Sequence, residues 1–215
     1  MIPAPDLPIG PVNTHFVKPG DELHRIHADI FREAEFNPCK GNATRFAPIF
    51  NKTGNCVPTI YAASTLASVC FETIFHNVSF KKTNRRIPIQ DVQDKCYSII
   101  TPTRPIQCAQ LFDPDLALLG LNRNKLIASP PAFYAKTAAW AKAVHDQYED
   151  VEGLVWTSRQ CDPNLCYLFF GDRVVESCFQ ISSHAVPIIH NAALLGQVRY
   201  LGMMRKGILI TSNRK

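Results

Sequence analysis

At 215 residues the chain is long enough for one domain with a substantial core, and 46% hydrophobic against 19% charged residues excludes a disordered chain. A formal net charge of +5 favours an anionic ligand only weakly and falls short of the clustered basicity of a dedicated nucleic-acid binder. No apolar run reaches the roughly 20 residues that span a bilayer, and the start Met1-Ile2-Pro3-Ala4-Pro5-Asp6 has neither the basic beginning nor the apolar core of a signal peptide.

Residues 1–22, rich in proline and glycine, read as an N-terminal arm on the surface, and residues 23–215 as a single domain. Leu23 to His27 alternates apolar and polar residues as a short strand does. Phe36 through Gly54 is loop-like, and Pro58 to Ala62 is a second strand. Ser64 or Thr65 caps a helix whose apolar face is Leu66, Val69, Cys70 and Ile74. Glu72 and His76, four residues apart, would share the flank of that helix. The basic run Lys81 to Arg86 has no interleaved aromatics and reads as a solvated loop.

Further on, Cys96 to Ile100 is a strand, and Thr137 to Tyr148 a helix facing inward with Trp140, Ala143 and Val144. Leu154-Val155-Trp156, the turn Asp162-Pro163-Asn164 and Leu165 to Phe170 make a hairpin. A last helix falls within Asn191 to Met203. Strands and helices that do not alternate regularly indicate an α+β class. The eight cysteines contain no C-x2-C pair, so no metal site is expected. With no export signal they read as reduced, buried small hydrophobes in a cytoplasmic protein.

Six residues stand out chemically. Arg25 offers a guanidinium fork for a pyrophosphate and Arg45 an anion grip or a contact to the nicotinamide ribose, against the plainer reading of surface or loop arginines. Tyr61 ends a strand beside Ala62 and Ala63, where an aromatic ring has room to stack on a heterocycle or simply to edge the core. Glu72, set against an apolar stripe, is placed to stabilise a sugar cation in a cleft. His76 would orient Glu72 or bind phosphate, although a helix histidine is more often structural. Ser158 lacks a G-x-S-x-G context, which argues against a hydrolase nucleophile and for a residue that positions ligand or arginine.

Taken in order, Arg25, Arg45-Phe46-Ala47-Pro48, Tyr61-Ala62-Ala63, Glu72 followed by His76, Ser158-Arg159 and Leu168-Phe169 resemble the RES-domain family over roughly residues 23 to 171. The chain departs from the family loop at Thr44 and Ala47, where glycine and asparagine are common. The resemblance implies an ADP-ribosyltransferase-like fold, a mixed, split β-sheet flanked by helices. It also implies a bacterial toxin that degrades NAD+ by phosphorolysis or hydrolysis, NAD+ being the substrate and inorganic phosphate a co-substrate, with no resident cofactor. On that reading Glu72, Arg25 and Arg45 are catalytic, and Tyr61, His76 and Ser158 join the two arginines in binding NAD+. The implied partner is an Xre-type antitoxin or an immunity protein, with no direct contact to nucleic acid or membrane; an oligomer is compatible with the sequence. The alternatives are a mono-ADP-ribosyltransferase that modifies a protein and a non-catalytic module that binds a nucleotide or protein.

Overall fold

The computed structural model describes residues 2–78 and 85–212. Its strands are β1 (Thr14–Val17), β2 (Leu23–Ala28), β3 (Ile49–Phe50), β4 (Cys56–Val57), β5 (Thr59–Ala63), β6 (Arg85–Pro88), β7 (Lys95–Pro102), β8 (Ile106–Gln110), β9 (Gly153–Thr157), β10 (Leu165–Phe170), β11 (Phe179–Pro187) and β12 (Ile208–Thr211). The helices are α1 (Leu66–Glu72), α2 (Asp113–Leu118), α3 (Arg123–Leu126), α4 (Tyr134–Gln147) and α5 (Ala192–Lys206). Eight strands form one sheet in the order β1-β8-β9-β10-β5-β2-β7-β11, antiparallel except for the parallel pair β8 and β9. The class is α+β, as expected.

Side-chain alternation along β10 explains how the sheet is covered on both faces. Cys166, Leu168 and Phe170 point into a core shared with Trp140, Ala141 and Val144 of α4. Tyr167 and Phe169 point the other way, toward Leu23, Ile60 and Ile100. A third cluster, with Phe71, Phe75, Ile188, Val198 and Ile208, packs α1 against α5 and β12.

The split of the sheet lies between β2 and β5. These strands pair only at His24 and Ala63, whereas β2 pairs with β7 at six positions. Beyond that one pair the two strands share no further paired residues, and at Thr59 the β2 side of β5 is taken by Asn37. Arg25 bridges the gap: its Nε donates to the Tyr61 carbonyl at 3.3 Å.

The first 22 residues are more deeply built in than a surface arm. β1 closes one edge of the sheet by pairing with β8, and Ile2 and Ile9 are buried. The Trp140 indole donates to the Pro3 carbonyl at 3.0 Å, and Gln147 exchanges two hydrogen bonds with the Ile9 backbone. Two further expectations change. Cys39 and Cys56 are joined in a disulfide, because the loop between them folds back onto β4; six cysteines are free. Helix α1 stops at Glu72, so His76 sits on the turn beyond it rather than on the same helix. Of the basic run, Lys81 to Asn84 lie outside the described residues, and Arg85 and Arg86 open β6. Among the described residues no helix is long and apolar enough to cross a membrane.

Candidate active site

The position of Glu72 follows from how α1 begins and ends. Thr65 caps the helix start, accepting from Ser68 N–H at 3.1 Å, while the Ser68 hydroxyl accepts from Thr65 N–H at 3.2 Å. At the other end the chain after β9 clasps the last turn. Arg159 Nη2 and Gln160 Nε2 donate to the His76 carbonyl at 3.0 and 3.2 Å. The same segment holds the carboxylate: Ser158 Oγ donates to Glu72 Oε1 at 2.6 Å, and Arg159 N–H donates to it at 3.0 Å. A carboxylate on the last turn of a helix is disfavoured by the helix dipole. These two donors and the neighbouring guanidinium offset that.

Ser158 is itself fully buried and fixed, since its Oγ accepts from Cys161 N–H at 3.1 Å. Arg123 on α3 donates to the Ser158 carbonyl at 2.9 Å and to the Thr157 hydroxyl. Ser158 is thus a positioning residue for Glu72.

Glu72, Arg45, Tyr61 and His76 all line one cavity of about 410 Å³ at the split, with Trp156 and Tyr134 completing its wall. That volume lies in the usual range for small-molecule sites. Arg45 is 4% exposed. Its Nη1 donates to the carbonyls of Leu126 and Ser129 at 3.2 and 3.1 Å, and its guanidinium carbon lies 5.4 Å from the centre of the Tyr134 ring. Its Nη2 is buried with no hydrogen-bond partner, so the cation keeps a donor unused.

Tyr61 holds the arginine loop. Phe46 N–H donates to the Tyr61 hydroxyl at 2.9 Å, that hydroxyl lies 2.9 Å from Thr44 Oγ1, and Thr44 Oγ1 donates to the Ala47 carbonyl at 3.2 Å. The chain of donors runs in one direction and requires a protonated phenol. Burial pushes Tyr61 up to about 12, so the phenol is intact at neutral pH. The threonine that departs from the family loop is therefore a link in the chain that sets Arg45. Trp156 lies edge-on to both Tyr61 and Phe46.

The His76 ring hydrogen-bonds Asn77 and Tyr134 rather than Glu72. Burial lowers it below its ordinary value, more than Asn77 and Glu72 raise it. In the neutral ring Nδ1–H donates to Asn77 Oδ1 at 3.0 Å, and Nε2 accepts from the Tyr134 hydroxyl at 2.9 Å.

Arg25 is placed apart from this group. It is 5% exposed and lines a smaller cavity of about 180 Å³ on the other side of Tyr61. Beyond the Tyr61 carbonyl it donates to the carbonyls of Glu33 and Glu35. Burial lowers it to about 10, which leaves it charged at neutral pH. Its donors are committed to backbone, which differs from the free anion grip expected of it.

Tyr134 has no place in the sequence reading, and Trp156 and Arg159 enter it only as strand and motif positions, without the cavity wall or the amide donor as their roles. Tyr134 and Trp156 reach the cavity from elements distant in the chain, and no local pattern announces that. Among the described residues no group of His, Cys, Asp and Glu is set to hold a metal ion.

A buried arginine and a carboxylate held by two donors line one cleft where the α+β sheet divides. The family model of the RES domain matches residues 22–189, most of the chain. The protein belongs to the RES-domain family, which is known for NAD-related activity, and all six candidate residues lie within the match. Helix α5 and strand β12, which back α1, lie beyond it. No curated protein matches the sequence.

Proposed function

We propose that the protein cleaves the nicotinamide–ribose bond of NAD+ and depletes the cell of it. The observation that carries this reading is the Glu72 carboxylate held by Ser158 and Arg159 N–H in the same cavity as Arg45. When the bond from the nicotinamide nitrogen to ribose C1′ breaks, its electron pair leaves with nicotinamide and the ribose becomes an oxocarbenium. A fixed carboxylate stabilises that charge, and because the site is preorganised, little reorganisation is needed. Arg45, which lines the same cavity, supplies the positive charge that binds the pyrophosphate. Tyr61 packs against the nicotinamide riboside and keeps the Arg45 loop in register. Neutral His76 acts through Tyr134, and Arg25 through the Tyr61 backbone.

The oxygen of inorganic phosphate or of water then adds to C1′. Phosphate is the better fit to a cationic site, so phosphorolysis is the favoured course. A toxin of this kind acts in the cytoplasm and is kept silent by a cognate Xre-type antitoxin or immunity protein that blocks the cavity.

Nicotinamide release from NAD+ by the wild type and by Glu72→Gln tests the proposal. A drop of about 10²–10³-fold, the cost typical of removing one electrostatic stabiliser, is expected. Equal rates would overturn the role of Glu72. With NAD+ labelled in the adenylate, label retained on protein would replace degradation with ADP-ribosyl transfer.

A further inference from the structure

The wall of the cavity that carries Arg45 is a loop with almost no secondary structure of its own. Its base is closed at Asn37 and Thr59, which exchange backbone hydrogen bonds of 2.9 and 3.0 Å. Immediately inside that bridge the disulfide joins Cys39 to Cys56, 17 residues apart. The enclosed segment carries Thr44 and Arg45 into the cavity and Phe46 into the core. Within the segment, regular structure amounts to the two-residue pairing of β3 with β4. Cys39 and Cys56 are half-buried, and Cys39 lines the smaller cavity that shares Thr44 and Tyr61 with the larger one. Of the six free cysteines, five are buried. The bonded pair is thus the cysteine pair within reach of a thiol reagent, and it closes the loop on which the cation of the site is mounted.

We propose that the Cys39–Cys56 bond is a thiol–disulfide exchange site that fixes the Thr44–Arg45 loop against the cavity, so that the site is set when the pair is oxidised and loosened when it is reduced. The chemistry requires a dithiol, either a small molecule or a protein. One thiolate of the dithiol attacks a sulfur of the pair and frees the other cysteine as a thiol. The second thiol of the reagent then displaces the first cysteine, leaving two cysteine thiols and one new disulfide in the reagent. Two electrons pass from reagent to protein. Closing a segment of this length removes much of its freedom, and the Thr44–Tyr61–Phe46 chain of donors is the part of the site that opening the bond would release.

The consequence for ligand affinity rests on the proposed function; the consequence for the loop does not. Hydrogen exchange on the full chain, oxidised and then treated with dithiothreitol, reads the loop directly. The Phe46 amide, which donates to the Tyr61 hydroxyl, and the Thr44 amide should exchange about tenfold faster after reduction, with the amides of β10 unchanged. The double variant Cys39→Ser/Cys56→Ser should exchange at the reduced rate whether or not reductant is present. Unchanged exchange at these amides, or acceleration spread evenly over the chain, would overturn the proposal. So would an effect of reductant that persists in the double variant. If the double variant does not fold, titration of the wild type with dithiothreitol carries the test alone. In parallel, ADP-ribose binding measured by calorimetry should weaken several-fold on reduction. A faster loop with no binding in either state would uphold the redox site and count against the NAD+ reading.

Discussion

Removing the Ser158 hydroxyl isolates the support of Glu72 from Glu72 itself. In Ser158→Ala the carboxylate keeps the Arg159 N–H at 3.0 Å but loses the shorter donor at 2.6 Å. A hydrogen bond to a charged group contributes about 1.5–3 kcal/mol, and about 1.4 kcal/mol corresponds to a factor of ten in rate. If that support acts on the transition state, kcat for NAD+ cleavage falls about tenfold to a hundredfold, less than for Glu72→Gln. KM should stay within about threefold, because Ser158 touches Glu72 and backbone rather than the cavity. The variant also leaves the Cys161 N–H without its acceptor, so some loss of stability is expected; steady-state kinetics are therefore run well below the melting temperature found by calorimetry. An unchanged kcat, or a loss carried wholly by KM, would refute Ser158 as the residue that positions the carboxylate.

Arg25→Met tests the bridge across the split: three carbonyls lose their donor, so unfolding in urea should show a loss of about 2–4 kcal/mol, and a neutral result would mean the bridge is dispensable. Thr65→Ala removes the cap of α1 and should cost about 1 kcal/mol in the same assay. Between pH 7.5 and 5 the pH dependence comes chiefly from His15, His24, His27 and His76, each lowered above all by burial. A histidine with a depressed folded value favours the fold while neutral. Stability from these groups is therefore present above about 6.5 and declines as the pH falls from there toward their folded values. Thermal melts between pH 7.5 and 5 should fall monotonically, and replacing His27 by an uncharged residue should flatten the slope.

What could be read in advance was local or periodic. The β9–β10 hairpin, α4 with its buried Trp140, the capped start of α1 and the α5 helix all follow from patterns within a dozen residues. Glu72, Arg45, Tyr61 and His76 do share one cavity, although His76 reaches it from a turn because α1 ends a turn earlier than its apolar spacing suggests. Strand β1 was hidden in a proline-rich arm, since four residues at a sheet edge carry too short a pattern to stand out. β11 was hidden because an exposed edge strand lacks apolar alternation. The commitment of Arg25 to three carbonyls, the approach of Ser158 to Glu72 across 86 residues and the pairing of Cys39 with Cys56 are tertiary facts. No local sequence signal distinguishes a guanidinium that will grip a phosphate from one that will bridge a divided sheet.

Cleavage of NAD+ is tested by incubating the full chain with NAD+, with and without inorganic phosphate, and resolving the products by chromatography and mass spectrometry. Free nicotinamide is expected in both cases, with phosphorylated ADP-ribose when phosphate is present and ADP-ribose when it is absent. NAD+ left intact under both conditions would rule out NAD+ cleavage by this site.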